Sequence, residues 1–598
     1  MALAGFDRIT VAERHGLPAW TGVAGAGLLA LLALLVLVLW NTVSMVSVPL
    51  ALPPLPQLET PVEVWLSTAD RRLLLARQPN VVPEAVGPAT AEVVVDLGQH
   101  YQTMSGFGAA LTDSSAWLLY NRMGSRQREA LLRELFGPPP GLNFKLLRLS
   151  IGASDFSLHH YTLDDMPAGQ VDPQLEHFNL AAAQPAVVPV VRELLAIDPQ
   201  LRIIASPWSA PAWMKTSANL IGGTLLEQYE PTYAAYLARY VDSMRALGIP
   251  IFALTVQNEP AFEPLTYPGM LLSAEARARI IGQYLGPMLA GEASPPVILG
   301  WDHNWDEPDQ PMTVLSDLDA ARDMAGIAWH CYRGSPATQT EVHRAFPRKN
   351  VYLSECSSGD WASIRKDRLL WYARDVLMAS IKNWAGGLLY WNLALDQRHG
   401  PHAGGCDACT GIVTIDTPQS AVVAAMRDAA THLDALRADS SHGETFDAAL
   451  DVADDLLQHA ITLGEPAAVV HRNVEYYAFA HYSRFVLPGA VRVKSTGSIT
   501  GVDSVAFRNA DGGKAVLVAI NSEPRQQVLA VSQGTLHFDY PLPPYSMATF
   551  VWQPDAASAG APSGPAPASS SPWLPPIPVP PLPVPEIAIA SSAAGPLQ

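Results

Sequence analysis

Thr255-Val256-Gln257-Asn258-Glu259-Pro260 and, further along, Val351-Tyr352-Leu353-Ser354-Glu355 decide how this chain is read. Each is a run of strand-forming residues that stops at a glutamate. Ile251 to Val256 is continuously apolar apart from Thr255, as a strand buried on both faces of a parallel sheet must be. In a barrel of parallel strands the active site lies at the strands' C-terminal ends. Two glutamates delivered there from different strands would face one another across a shared cleft. A carboxylic acid and a carboxylate about 5 Å apart are what cleavage of a glycosidic bond with retained configuration requires.

The surrounding sequence repeats strand and helix. Met104–Gly108, Phe144–Ser150, Leu201–Ser206, Ile251–Val256, Val297–Gly300, Gly326–His330, Val351–Glu355 and Gly387–Asn392 read as eight strands. Helical patterns fall between them. One runs from Asp113 to about Phe136, one from Pro189 to Ala196, and one carries Tyr229, Tyr233, Leu237, Tyr240, Val241 and Met244 before Gly248; another spans Arg374 to Trp384. Alternation on this scale predicts a (β/α)8 TIM barrel. An open doubly wound sheet is the runner-up, weakened because no glycine-rich phosphate loop follows a strand. Both flanks read as β: Val62–Leu75 and Ala91–Leu97 before the barrel, Tyr476–Trp552 after it. Val505–Asn509 and Lys514–Ile520 flank Asp511-Gly512-Gly513, a hairpin signal. An all-β sandwich assembled from both flanks is the expected second domain.

The ends differ from the middle. From Gly16 to Leu58 there is no charged side chain, and the apolar run centred on 23–48 is long enough to span a bilayer, which takes about 20 residues. A cleaved signal has a shorter apolar region. The reading is an N-terminal transmembrane signal anchor; Arg8 and Arg14 precede it and keep the N-terminus cytoplasmic. The rest then lies on the exoplasmic side, with secretion after a cut near Ala51 as the alternative. The resulting division is 1–22 cytoplasmic, 23–48 anchor, 49–61 linker, 62–103 first sandwich strands, 104–430 barrel, 431–472 inserted helical segment, 473–553 remaining sandwich and 554–598 a disordered Pro/Ala/Ser-rich tail. That tail is a linker or a docking peptide for another protein.

Of the 598 residues 49% are hydrophobic, so a large core is available, and the formal charge of −18 argues against nucleic acid as partner. The four cysteines are Cys331, Cys356, Cys406 and Cys409. Cys406 and Cys409 form a lone CxxC: a local disulfide in an oxidising compartment, a pair of free thiols, or a metal or redox site.

The motifs, in order, resemble glycoside hydrolase family 30. They are Gly106-Phe107-Gly108-Ala109-Ala110-Leu111-Thr112-Asp113, Ala153-Ser154-Asp155-Phe156-Ser157, Ser206-Pro207-Trp208-Ser209-Ala210-Pro211-Ala212-Trp213-Met214-Lys215, Asn258-Glu259-Pro260, Trp329-His330-Cys331-Tyr332, Ser354-Glu355-Cys356, Tyr390-Trp391-Asn392-Leu393-Ala394-Leu395 and Tyr476 through Phe485. The family comprises retaining β-glycosidases, among them glucosylceramidases, β-1,6-glucanases and xylan-active enzymes. The resemblance implies Glu259 as acid/base and Glu355 as nucleophile. It implies Asp155, Trp208, Asn258, His330, Tyr332 and Trp391 as the residues around the sugar, with Tyr332 donating to Glu355. It implies a β-glucoside, glycolipid or related glycan as substrate, with no metal and no cofactor. A barrel that only binds carbohydrate is the reading from another class; it predicts loss of a glutamate, and both are present. An acid needs its proton, so Glu259 is expected to have a raised pKa, helped by the like charge beside it. Unlike the family pattern, 417–471 is inserted before the last motif. Within it Ala421–Leu436 and Phe446–Leu463 read as helices that decorate the sandwich, cover the cleft or contact a partner.

Overall fold

The computed structural model describes residues 61–554, except 82–88, 181–184, 293, 365–367, 498–500, 511–512 and most of 417–467. The anchor, most of the two inserted helices and the tail after Pro554 therefore lie outside the described residues. Among the described residues no helix is long and apolar enough to cross a membrane.

In chain order, β1 (Val62–Thr68), β2 (Ala76–Val81) and β3 (Ala91–Thr103) come first. The barrel follows with β4 (Gly106–Ala110), β5 (Leu146–Ile151), β6 (Arg202–Pro207), β7 (Ala253–Thr255), β8 (Val297–Asn304), β9 (Met324–His330), β10 (Asn350–Glu355) and β11 (Ala385–Tyr390). A small sheet holds β12 (Ala394–Leu395), β13 (Val413–Asp416) and β14 (Val469–Arg472). The chain ends in β15 (Val491–Thr496), β16 (Val502–Arg508), β17 (Ala515–Asn521), β18 (Gln527–Gln533), β19 (Leu536–Leu542) and β20 (Ser546–Trp552).

Strands β4 to β11 are all parallel and close on themselves, β9 pairing with β10 and β11 with β4. Leu146, Ile204, Ala253, Leu299, Ala328, Tyr352 and Leu389, each from a different strand, fill the bore as one buried layer. Gly108 lets two strands approach there: a Cβ at that position would sit 1.8 Å from the Leu146 carbonyl oxygen.

The flanking strands form a nine-stranded sheet in the order β19-β18-β3-β15-β16-β17-β20-β1-β2, which joins both ends of the chain. It packs against itself as a sandwich: Phe538 on β19 meets Phe550 and Trp552 on β20 at 5.5 and 6.0 Å between ring centroids. Strand β17 shows how one sequence serves two interfaces. Ala515, Leu517 and Ala519 point into the sandwich core, and the alternating Val516, Val518 and Ile520 join the barrel's core.

Three expectations are corrected. The helix read as Asp113–Phe136 is two, Asp113–Arg122 and Ser125–Phe136, because Gly124 between them is extended and caps the second. Its first cap is Thr112, whose hydroxyl accepts from the Ser115 amide. The strand read as Val62–Leu75 stops at Thr68, where Arg71 and Leu75 adopt left-handed backbone in the turn to β2. Residues from 473 do not open the sandwich: Val474–Ser483 is a buried helix on the barrel, its Phe479 ring packed against Phe107, Phe144, Tyr372 and Tyr390. That segment is buried on nearly every face, its Glu475 paired with Arg368 and its His481 bonded to Ser67 and Thr549, which suits a helix wedged between two cores rather than an exposed-face strand.

Candidate active site

The site is assembled from the C-terminal ends of the barrel strands. Arg148 sits on β5, Asp302 near the end of β8, His330 at the end of β9 and Glu355 at the end of β10; Asn258 and Glu259 follow β7. Each strand is pinned by its own ladder, so each side chain enters the rim at a fixed height. Glu259, Asp302 and Asn392 adopt left-handed backbone, with φ of 48°, 61° and 63°. Non-glycine residues take up that conformation at a cost, and such residues cluster where side chains must be aimed.

At the centre is a buried ionic lattice. Arg148, wholly buried, donates to Glu355 Oε2 at 2.5 Å, to Asn258 Oδ1 at 2.7 Å and to Asp302 Oδ2 at 2.9 Å. Asp302, also wholly buried, accepts in addition from Ser206, Thr255, Ser354 and His330. Burial would push the Asp302 carboxyl up, but the Arg148 charge and these donors hold it well below the usual carboxylate range. A charge taken out of water survives only with such partners.

The two glutamates stand on this lattice. Tyr332 donates its hydroxyl to Glu355 Oε1 at 2.8 Å, opposite Arg148 on Oε2. Glu259 Oε1 lies 3.0 Å from His330 Nδ1 and 3.7 Å from His303 Nε2. One carboxyl oxygen of Glu259 lies within 4.8 Å of one of Glu355. Burial pulls the His330 imidazole down, but Glu355, Asp302 and Glu259 around it win, and its pKa rises to about 9. His303, buried with weaker partners, falls to about 4 and stays neutral.

The expectation of a raised pKa at Glu259 is corrected here. Burial does push it up, but the hydrogen bond and positive charge of His330 outweigh burial, and the net direction is down. The sequence reading counted the like charge of Glu355 and not the imidazolium between the two. His330, its own pKa raised, is the group that holds Glu259 down. Glu259, His330 and Glu355 are also close enough together to suit a cation. Both ring nitrogens of His330 are engaged by carboxylates, Nδ1 by Glu259 and Nε2 by Asp302, so the imidazolium has no lone pair left for a metal.

All eight residues singled out from the sequence come to this rim. Asp155, Trp208, Asn258, Glu259, Tyr332, Glu355 and Trp391 line one cleft of about 670 Å³, and His330 lies beneath them, wholly buried. Trp208 and Trp391 stack on each other at 5.2 Å, and the Arg148 guanidinium lies 4.9 and 5.5 Å from their rings. Since Arg148 occupies Asn258 Oδ1, what Asn258 offers a ligand is its amide N–H. Asp155 has its carboxyl pushed well up by burial and by the charges of Glu355 and Glu259. Cys406 and Cys409 are disulfide-bonded and line the same cleft, on a loop whose Gly405 (φ +74°) would place a Cβ 2.3 Å from that of Asp155.

Sequence reasoning missed Arg148, Asp302 and a second disulfide, Cys331–Cys356. The first had a signal: a lone arginine inside Leu146-Leu147-Arg148-Leu149 is a charge on an otherwise buried strand, and such charges need partners. Asp302 lay beyond Gly300, where the strand was taken to end. The disulfide ties the residue after His330 to the residue after Glu355, which no spacing rule could have paired.

Paired carboxyl groups over a sugar-sized cleft at the mouth of a TIM barrel define an O-glycosyl hydrolase. Comparison with known proteins agrees and narrows the class. Residues 104–419 match the glycosyl hydrolase family 30 TIM-barrel domain, and 489–550 match the family's β-sandwich domain. The chain belongs to glycosyl hydrolase family 30. It is 34% identical over 435 residues to an endo-1,6-beta-D-glucanase of Neurospora crassa, covering 70% of this chain and 79% of that one. To the lysosomal acid glucosylceramidase of Mus musculus it is 27% identical over 484 residues, covering 76% and 82%. The solved structure of the endo-beta1,6-glucanase BT3312 superposes with a TM-score of 0.68 at 29% identity, covering 83% of this chain and all of that one.

Proposed function

We propose that this glycosyl hydrolase cleaves β-1,6-linked glucan by double displacement, with Glu355 as nucleophile and Glu259 as acid/base. The observation that carries the reading is the approach of their carboxyl oxygens to within 4.8 Å. Retaining enzymes hold the pair about 5–5.5 Å apart, and inverting ones leave about 6.5–9.5 Å for a water. In the first step a Glu355 oxygen forms a bond to the anomeric carbon, the glycosidic C–O bond breaks, and Glu259 passes to the leaving oxygen a proton that it takes from the His330 imidazolium 3.0 Å away. In the second, Glu259 takes a proton from water, whose oxygen displaces Glu355. Arg148 and Tyr332 hold one oxygen each of Glu355, so the attacking group is both charged and aimed.

The choice of glucan rests on the polar part of the cleft wall. Beyond the residues already named, its lining includes Asn304, Asp306, Glu307 and Arg333 along with Trp361. Hydroxyl-rich leaving groups can satisfy those polar side chains; an acyl chain would strand them. The endo-1,6-glucanase names of similar proteins agree. A glucosylceramide-type lipid is the second reading, favoured by Leu265, 88% exposed at the cleft mouth beside Phe262. The apolar run at 23–48 supports a signal anchor that would hold the enzyme on the exoplasmic face of a membrane. Deleting 1–60 should then move activity from the membrane to the soluble fraction.

The test is a hydrolysis panel of β-1,6-glucan, β-1,3-glucan, xylan, glucosylceramide and aryl β-glucosides, with the first-formed anomer read by proton NMR. The β anomer from a β-linked substrate is expected. The α anomer would overturn the double displacement, and glucosylceramide as the best substrate would overturn the glucan assignment.

A further inference from the structure

Beside the catalytic cleft is a second recess, of about 310 Å³, at the small end of the range for small-molecule pockets, about 300–1,000 Å³. Its lining includes Asp113, Trp117, Tyr120 and Asn121 from the helix Asp113–Arg122 and His159 and Tyr161 from the loop after β5. The four helical residues fall at spacings of three and four and so share one face. Tyr120 and Asn121 are solvent-exposed. No step of the proposed reaction uses any of these side chains.

Resting on the glucan reading, we propose that this recess is a second carbohydrate-binding site, which holds a glucose unit of the polymer away from the bond being cleaved. Three observations select a sugar. First, aromatic rings and hydrogen-bonding groups line it together, Trp117, Tyr120 and Tyr161 with Asp113, Asn121 and His159, beside the apolar Leu158, Pro185, Ala186 and Val187. A pyranose has an apolar C–H face and a rim of hydroxyls, and needs both. A purely apolar ligand would strand the Asn121 amide. Second, a cation is disfavoured. The Arg122 guanidinium already lies 4.5 Å from the Trp117 ring, and that of Arg128 lies 5.1 Å from the Tyr120 ring. Both rings carry a positive charge on one face, and a cationic ligand would be repelled. Third, the recess shares a wall with the cleft. Asp113 Oδ2 accepts from Ser157 and from Tyr161, each at 2.7 Å, and Ser157 Oγ in turn accepts from the Ser154 amide at 3.0 Å. Ser154 and Ser157 flank Asp155 and Phe156, which belong to the cleft side. The loop Ser154–Ser157 therefore joins the recess to the wall of the cleft. Burial also pushes the Asp113 carboxyl up to about 6, so near neutral pH it can accept from a hydroxyl and in mild acid donate to one.

The test uses the full-length chain in mild detergent, made inactive by Glu355→Gln, in non-denaturing gels cast with the panel polymer that the wild type cleaves fastest. Tyr120→Ala and Asn121→Ala remove recess contacts at exposed positions. Each should weaken retardation by the polymer at least fivefold, and Tyr120→Trp, which keeps an aromatic plate, should restore it. In the active enzyme the same variants should lower kcat/KM on polymer severalfold and leave kcat/KM on an aryl β-glucoside within twofold. Unchanged retardation, or equal losses on polymer and aryl glucoside, overturns the second site while the glucan reading stands. If xylan or another polymer wins the panel, the glucan reading fails and the recess is judged on that polymer. If no polymer is cleaved or retained, both fall.

Discussion

His330→Gln tests the electrostatic core of the site. In the native protein the imidazolium lies 3.0 Å from Glu259 and 3.1 Å from Asp302, with Glu355 at 3.8 Å. At an effective dielectric of about 20, a unit charge 3 Å from a carboxylate stabilises its ionised form by about 5 kcal/mol, or roughly four pH units. That is the ceiling. Water entering the gap and the nearby Arg148 charge compensate part of it, and we expect about one to two units to survive. The sign follows from the direction of the native shift. His330 holds the Glu259 pKa down, so removing its charge raises it; burial and the charges of Glu355 and Asp302 are then less opposed. The acid form of Glu259 would persist to higher pH, and the basic limb of kcat/KM against pH moves up. The assay is kcat/KM for a poor-leaving-group β-glucoside between pH 4 and 9, with a thermal melt to show that the variant is folded. An aryl glucoside with a very good leaving group should show a smaller displacement, because its departure needs less protonation. A basic limb that stays put, or moves down, would refute the assignment of His330 as the group that depresses Glu259.

Glu355→Gln should abolish turnover of every β-glucoside, whereas Glu259→Gln should still form the glycosyl-enzyme from a substrate with a good leaving group; a burst of aryl alcohol followed by slow turnover is the signature. His481 is wholly buried at the joint of the two domains, 2.8 Å from both Ser67 and Thr549 hydroxyls, and burial lowers its pKa to about 3. Its neutral form is the folded one, so stability is lost as pH falls from about 6.5 towards 3, at up to about 1.4 kcal/mol per unit. His481→Gln should flatten that acid limb in urea melts at pH 6, 5 and 4; an unchanged slope would show that other groups set it. The Cys331–Cys356 bridge closes a loop with a sequence separation of 25, and replacing both cysteines by serine should cost about 3 kcal/mol of stability. A melting temperature within a degree of wild type would refute that figure.

The barrel was legible because its strands are buried on both faces and therefore read as apolar runs, and because several end in polar residues that a buried strand would not otherwise carry. Those polar ends are the site: Asn258-Glu259 after β7, His330 ending β9 and Glu355 ending β10 were visible for that reason. What periodicity could not show is which side chains meet across the bore. Arg148 touches Glu355, 207 positions away, and Asp302, 154 away. Neither contact leaves a local trace except the oddity of a charge in an apolar strand. The helix Val474–Ser483 was misassigned for the opposite reason. Its few polar residues, Glu475, His481 and Ser483, do not gather on one face, and with no polar face to set a period, strand and helix patterns cannot be told apart.

The charges around the cleft explain why Asp155 is built as it is. Arg148 and His330 are surrounded there by the carboxyl groups of Asp302, Glu355 and Glu259. Burial and the charges of Glu355 and Glu259 push the Asp155 carboxyl well above the usual carboxylate range, which favours its neutral form. A neutral carboxylic acid donates one hydrogen bond and accepts others, which suits a sugar hydroxyl better than an anion that only accepts. When Glu355 becomes an ester its charge disappears, and one of the two charges holding the Asp155 proton goes with it. Asp155 then becomes easier to ionise at the stage where positive charge develops on the sugar. Asp155→Asn keeps a neutral donor but cannot ionise. It should therefore bind a glucose-like inhibitor nearly as well as wild type and lose rate in the chemical steps; a loss confined to KM would show that Asp155 only holds the sugar.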